Sequence, residues 1–423
     1  MQTKLADFIK DTPEGREADA ILRKCVHCGF CTATCPTYQL LGDELDGPRG
    51  RIYLVKGMLE GAQVTARTQL HLDRCLTCRA CETTCPAGVR YGRLADIGRK
   101  LVEERVPRPL RPRLLRRVLS LILPRSWLFA SLLNLGRFLR PVLPFALQAK
   151  IPAALPRAGD WPAPRHKRRM LALAGCVQPA LGPDINAACA RVLDKLGITL
   201  IEAPRAGCCG AVRFHLNAQE EGLDDMRALI DAWWPYVEAK ESGRAEAVEA
   251  IVMTASGCGT TVKEYGHLLA HDPAYAKKAQ RISALTKDIS EVIAAEVARL
   301  TPLLAARKAV ASATKLALQL PCSLQHGQKI TGLIESILTA AGFELTPVAD
   351  SHLCCGSAGT YSILQPELAA KLKANKLAAL HAGSPQAIVS ANMACLSHLQ
   401  SGTTLPLEHW IVALERRLDG PQA

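Results

Sequence analysis

The fold class predicted from the sequence is α+β / α/β: a mostly helical N-terminal domain followed by two copies of an α/β unit. Three observations carry it. The run "CVHCGFCTATCP" (25–36) recurs as "CLTCRACETTCP" (75–86) with every cysteine in register. After residue 170 the order strand, helix, strand, Cys-Cys-Gly, helices, strand, Cys occurs twice. A chain of 423 residues, 48% hydrophobic and 22% charged, is long enough for two or three domains with cores of their own.

Each N-terminal run reads C-x2-C-x2-C-x3-C-P, with three sulfurs on a tight loop and a fourth just beyond it. One such loop cannot wrap a cubane comfortably. In two-cluster ferredoxins the fourth Cys ligates the other cluster and the Pro turns the chain away. On that rule Cys25, Cys28, Cys31 and Cys85 hold one 4Fe-4S cluster, and Cys75, Cys78, Cys81 and Cys35 hold the second. Zinc fits the pattern poorly, because a zinc ribbon needs four thiolates in two separated pairs. A disulfide framework fits worse. The N-terminus "MQTKLADFIKDTPEGREADAILRKC" is charged throughout and has no apolar h-region, so no secretory signal is expected. A reducing compartment follows, in which 17 cysteines suit metal or redox roles better than packing.

This first domain is expected to span 1–104. Within it, Arg49 and Arg51 in "GPRGRIYL" should open a helix under the clusters, paired either with carboxylates or with the negative charge of the clusters. A basic connector is expected over 105–169. Residues 99–117, "RKLVEERVPRPLRPRLLRR", hold eight basic and two acidic residues with three interrupting prolines. The net charge of +13 would suit nucleic acid, anionic lipid or an acidic partner. Residues 105–117 contain no aromatic to stack on bases, so no nucleic-acid partner is expected. In the apolar stretch that follows, the longest uncharged run, Ser126 to Gly136, has 11 residues, well short of the roughly 20 a spanning helix needs. Short apolar segments punctuated by Arg and Pro suit helices lying on an anionic membrane surface or against a partner subunit. The alternative is amphipathic helices packed on the chain's own core.

The two α/β units are expected over 170–308 and 309–423. In the first, "MLALAG" leads to Cys176, "ITLIEAP" to Cys208 and Cys209, and "AIVMTASGCGT" to Cys258. In the second, "KLALQLP" leads to Cys322, "FELTPVA" to Cys354 and Cys355, and "AIVSANMACLSH" to Cys395. The interval from single to double Cys is 32 in both. All these cysteines fall at strand ends, where open α/β folds bind ligands, and Gly210 and Gly356 would let the backbone turn tightly beside them. Cys189, inside a helical pattern and without a counterpart, is expected to be a core residue.

"VHCGFCTATCPTYQLLGDELDGPRGRIYL", "DRCLTCRACETTCPAGVRYG", "ASGCGTTVKEYG" and "DSHLCCGSAGTY" together resemble the iron-sulfur subunit of bacterial glycolate oxidase. The resemblance implies an electron-transfer subunit of an oxidoreductase complex that passes electrons to a membrane acceptor such as quinone. It implies two 4Fe-4S clusters on the eight N-terminal cysteines, and FAD only on a partner subunit that oxidises glycolate to glyoxylate. A peripheral position on the cytoplasmic side of the membrane goes with it. The relay would serve a D-lactate-oxidising complex equally well. The second half is similar to the cysteine-rich CCG domain shared with heterodisulfide reductase, whose full versions end in C-x2-C and hold a further, non-cubane cluster. Here the final cysteine is lacking in both units. A third cluster on Cys322, Cys354, Cys355 and Cys395 with His398 is left open, and Cys176, Cys208, Cys209 and Cys258 would be a degenerate site. No G-x-G-x-x-G after a strand and no P-loop occurs, so substrate oxidation is expected to belong elsewhere.

Overall fold

In the computed structural model, residues 1–144, 148, 151–241, 247–306 and 314–419 are described. The expected boundary at 308/309 lies outside them.

The N-terminal domain is helical. Its elements are α1 (Pro13–Lys24), α2 (Phe30–Ala33), α3 (Pro36–Leu41), α4 (Pro48–Leu59), α5 (Ala66–Asp73), α6 (Ala80–Thr84) and α7 (Tyr91–Arg105). Helix α1 starts where the Thr12 hydroxyl accepts from the Gly15 amide and Pro13 presets the first turn. Ile52, Val55 and Leu59 of α4 face Leu94 and Leu101 of α7 at helical spacing, and with Leu22 of α1 they form the core beneath the two cysteine loops.

Two helices follow, α8 (Leu110–Ile122) and α9 (Ser126–Leu139). They do not disappear into the chain's own core: Leu110, Leu114 and Val118 on α8 and Trp127, Leu135 and Phe138 on α9 are exposed. Among the described residues no single helix is long and apolar enough to cross a membrane; this pair passes that test only jointly, bent by 110°. The basic residues divide between two faces. Arg116 and Arg108 both bind Asp73, Arg116 at 3.1 Å, and Arg117 reaches Glu221 at 2.8 Å. Arg111 and Arg113 are exposed and have no ion pair among the described residues.

The α/β part holds two parallel sheets. The first has β1 (Arg168–Ala172), β2 (Ile198–Glu202), β3 (Ile251–Met253) and β4 (Thr286–Asp288) in the order β2-β1-β3-β4. The second has β5 (Lys315–Gln319), β6 (Glu344–Thr346), β7 (Ala387–Ser390) and β8 (Leu407–His409) in the order β6-β5-β7-β8. The repeated order bears out the duplication. Two details differ from the expectation. Each unit adds a fourth strand of three residues, TKD and LEH, too short to show an alternating pattern. Strand β1 starts at Arg168, so a boundary at 169/170 would cut it; Arg168 is held there by Glu249 and Glu296.

The units share one core. The helix Pro183–Lys195 of the first packs on the helix Trp410–Asp419 of the second, with Cys189, Leu193, Trp410 and Leu414 fully buried between them. Cys189 is the core residue expected, its thiol pushed up by burial and then by Asp288.

Candidate metal centres

The two cysteine loops repeat the same backbone device. His27 and Gly29 in the first and Thr77 and Arg79 in the second all have positive φ, at the same offsets from Cys25 and Cys75. Such left-handed turns curl amides toward the sulfur, as where the Thr77 N–H donates to Cys75 Sγ at 3.4 Å. A short helix follows each loop, then Cys35 or Cys85 and a proline. Helices α2 and α6 pack on each other, and the Thr84 hydroxyl donates to Thr34 at 3.2 Å. The end of each loop is thereby delivered to the other.

A cavity is lined by Cys25, Cys28, Cys31 and Cys85, with Cys81, Ile52 and Tyr91 in its wall. The Cys31 thiol is pushed up to about 11, by burial first and then by Cys25, Cys85 and Cys28. The other set gathers separately. Burial raises the Cys81 thiol, and Cys78, Cys75 and Cys35 add to it. Burial also raises Cys78, with Cys322, Cys35 and Cys75 as its thiol neighbours.

Cations surround the second set. Burial works to raise the Cys75 thiol, yet Arg51 and Arg99, the Tyr91 hydroxyl and the Thr77 amide hold it below its usual value. Arg51 is buried. It donates to the His71 carbonyl at 2.7 Å and to Thr37 Oγ1 at 3.1 Å, and pairs with Asp46 at 3.4 Å. Burial disfavours its charge, but Cys75, Tyr91, Cys35 and Asp46 hold its pKa above the usual value. Of the sequence alternatives for Arg51, the carboxylate pair is present, and Cys75 and Cys35 lie close by. Arg49, less buried, pairs with Glu44 at 2.6 Å. Tyr91 was not singled out in the sequence. It lines the first cavity while its hydroxyl donates to Cys75 Sγ at 3.6 Å, so one side chain touches both sets.

In the α/β units the cysteines gather beyond the carboxyl ends of the strands, at the switch points between β1 and β3 and between β5 and β7 where the order of strand addition reverses. In the first unit Cys208 accepts from Cys176 and Cys209 and from the Gly210 amide at 3.4 Å, with Arg213 nearby, which holds its thiol well below the usual value. Cys209 in turn contacts Cys258. In the second, Cys322 Sγ lies 3.7 Å from Cys354 Sγ, Cys355 contacts Cys395, and the Asn392 amide donates to Cys395 Sγ at 3.5 Å. Gly210 and Gly356 have φ of 82° and 89°. A Cβ on them would meet the Gly222 and Ala369 carbonyl oxygens at 2.4 and 2.7 Å, so no other residue fits.

His398 has the Ala369 backbone and Lys373 for neighbours; burial lowers its pKa, and its Nε2 is buried without a partner. The cation beside the sulfurs of this unit is Lys376. Burial lowers its pKa, against the pull of Cys355, Cys354 and Cys322, and its ammonium donates to the Asp350 carbonyl at 2.9 Å. A lysine in a helix otherwise rich in Lys and Ala gives no sequence signal of this.

The second unit also abuts the second loop. Cys354 and Leu76 share a small buried cluster with Tyr361, packed against Cys78 and Cys322, and the Tyr361 hydroxyl donates to the Arg74 carbonyl at 3.0 Å. A single tetrahedral metal with sulfur ligands at 2.3 Å would need sulfurs about 3.8 Å apart. Among the described residues, three or more ligand atoms all within 4.8 Å of one another occur at Asp43, Asp46 and His71, and at none of the cysteine quartets. The quartets are more open than one tetrahedral zinc ion requires. At Asp46 the acidic charge is already matched by Arg51 and Arg74, with the His71 ring at 3.0 Å.

The family of 4Fe-4S dicluster domains matches residues 21–89, and the cysteine-rich domain family matches 170–263 and again 316–400. The glycolate oxidase iron-sulfur subunit of Escherichia coli K12 is 54% identical over 419 residues, 99% of this chain and 100% of that one. The chain belongs to the glycolate oxidase iron-sulfur subunit family. A probable member from Bacillus subtilis is 30% identical across 90% of this chain and 89% of its own. Lactate utilization protein A of Bacillus licheniformis, at 23%, covers 53% of this chain and 87% of its own length. The lactate proteins thus match about half of this chain, whereas the glycolate oxidase subunits match it nearly end to end.

Proposed function

We propose that this chain is the electron-transfer subunit of a glycolate-oxidising complex, receiving electrons from a flavin-bearing partner subunit and passing them toward a membrane acceptor, quinone. The observation that carries the reading is the cavity in which Cys85 joins Cys25, Cys28 and Cys31. These four would hold one 4Fe-4S cluster, and Cys35, Cys75, Cys78 and Cys81 the second. When bound, the clusters supply acceptance and release of single electrons without group transfer. The chain's own residues do the rest. Its thiolates bind, the core under the loops excludes water, and Arg51, Arg99 and Tyr91 place positive charge and a hydroxyl donor beside Cys75, which favours the reduced state. The two cubanes suffice for this relay; were a third, non-cubane cluster bound as well, Cys322, Cys354, Cys355 and Cys395 would hold it, with Lys376 beside them and Cys78 next door.

The tagged protein is expected to co-purify with a flavin subunit from its host and to carry about eight iron per chain, four for each cubane. Close to twelve would support the third cluster. Zinc in place of iron after anaerobic reconstitution would overturn the reading. A disulfide reductase acting at the second unit would instead turn over a disulfide with this chain alone.

Helices α8 and α9 suit the membrane side of this role. From Val106 to Gly159 there is no Asp or Glu against ten Lys and Arg, and apolar side chains stand exposed along both helices. Arg116 and Arg117 fasten α8 to the protein, which leaves Arg111 and Arg113 for lipid headgroups. Replacing both with Gln should remove about 2 kcal/mol of attraction, a factor of about thirty in binding, read as flotation with anionic vesicles. Unchanged flotation at low salt rules the lipid contact out.

A further inference from the structure

We infer that the surface around Cys28, formed by Val26, Phe30 and Tyr53, is where the electron-donating protein docks. The inference rests on the proposed electron-transfer role and adds the place and direction of entry. Of the 17 cysteines, Cys28 alone is exposed. Around it Val26, Phe30 and Tyr53 are 69%, 60% and 56% exposed. Large apolar side chains are not left in water beside a redox ligand without a consequence for what binds there. The loop is built to present them. Left-handed turns at His27 and Gly29 keep Cys25 inside while Val26 and Phe30 point out, and the Tyr53 ring lies 4.4 Å from that of His27, in the cavity wall.

The opposite end of the relay is closed. Cys35, Cys75 and Cys81 are buried, and the half-buried Cys78 is covered by Cys322, Cys354 and Tyr361 of the second α/β unit. A donor arriving from outside therefore has its short approach at Cys28. Each transfer there moves one electron from the donor, which is oxidised, to the group held by Cys25, Cys28, Cys31 and Cys85, which is reduced. No bond forms or breaks in this chain.

The charges favour a protein over a lipid surface at this face. Of the cations nearest the patch, Arg49 and Lys56 are each already paired, with Glu44 and Glu60, and the Met1 ammonium donates to the Leu22, Arg23 and Cys25 carbonyls. The arginine and lysine side chains there are thus matched by carboxylates, in contrast to Arg111 and Arg113 on α8. An aromatic and aliphatic centre with a neutralised polar rim is the composition of a protein interface.

The test uses the whole complex, purified through a tag on this chain after co-expression with its flavin subunit. Phe30→Glu combined with Tyr53→Glu is expected to weaken retention of the flavin subunit at least tenfold, with iron content and cluster EPR unchanged. Leu114→Glu combined with Phe138→Glu, on α8 and α9, should retain it. In parallel, a photocrosslinking phenylalanine analogue at Tyr53 in the otherwise native complex should crosslink to the flavin subunit. That arm decides if the double variant loses iron. Retention at the native ratio with intact iron, loss in the α8/α9 variant instead, or no crosslink from position 53 would each overturn the docking site. A native preparation that carries iron but no flavin subunit would count against the proposed function instead.

Discussion

Cys85→Ser is expected to remove the cluster built on the first loop, 60 residues upstream of the substitution, and to leave the one on its own loop. The cavity geometry gives the reason: Cys85 lines the same space as Cys25, Cys28 and Cys31, whereas Cys75, Cys78 and Cys81 have Cys35 as their fourth neighbour. Iron should fall from about eight to about four per chain. EPR of the reduced protein should lose the signal that Cys28→Ser also removes. The reciprocal change, Cys35→Ser, should remove the other. Loss of only the cluster on Cys75, Cys78 and Cys81 in the Cys85 variant would mean that each loop closes on itself.

Arg51→Leu should cost about 3–5 kcal/mol, because it removes one partner of a buried ion pair and leaves the rest in place. Asp46 is fully buried and would keep only Arg74 at 2.7 Å and His71 at 3.0 Å, while the His71 carbonyl would lose its guanidinium donor. Arg51→Lys should recover little of this, since an ammonium cannot reach three acceptors lying in different directions. Chemical denaturation of the anaerobic protein measures the loss. The same variant takes a positive charge away from Cys75 and Cys35, so the cluster they hold should become harder to reduce. A redox titration in which its potential stays put or rises would contradict the role given to Arg51.

The cysteines were legible in the sequence because cluster ligation depends on spacing along a short loop, and their duplication marked the two α/β units for the same reason. Strands β4 and β8 were not, since three residues at a sheet edge carry no period. Neither Tyr91 nor Lys376 stood out: each gains its meaning from elements that are distant in sequence, as when Tyr361 meets Arg74. The basic stretch was read as one surface. Its division, with Arg108 and Arg116 turned to Asp73 and Arg111 and Arg113 turned outward, depends on where α5 places a carboxylate, which local composition does not reveal.

The core shared by the two α/β units constrains how the chain can be made. The helix that completes the first unit's packing, Trp410–Asp419, lies more than 200 residues downstream of the helix it covers, Pro183–Lys195. Arg191 pairs with Glu415, Lys195 reaches Asp419 at 2.5 Å, and the His409 ring binds the Thr254 carbonyl at 2.8 Å. During synthesis, at roughly 5–20 residues per second, the N-terminal cysteine loops leave the ribosome well before these partners exist. The helix Pro183–Lys195 waits with its apolar face uncovered until residues 410–419 have been made. A chain that stops short of Trp410 would therefore carry complete N-terminal metal loops on an unfinished body, a target for proteases and chaperones.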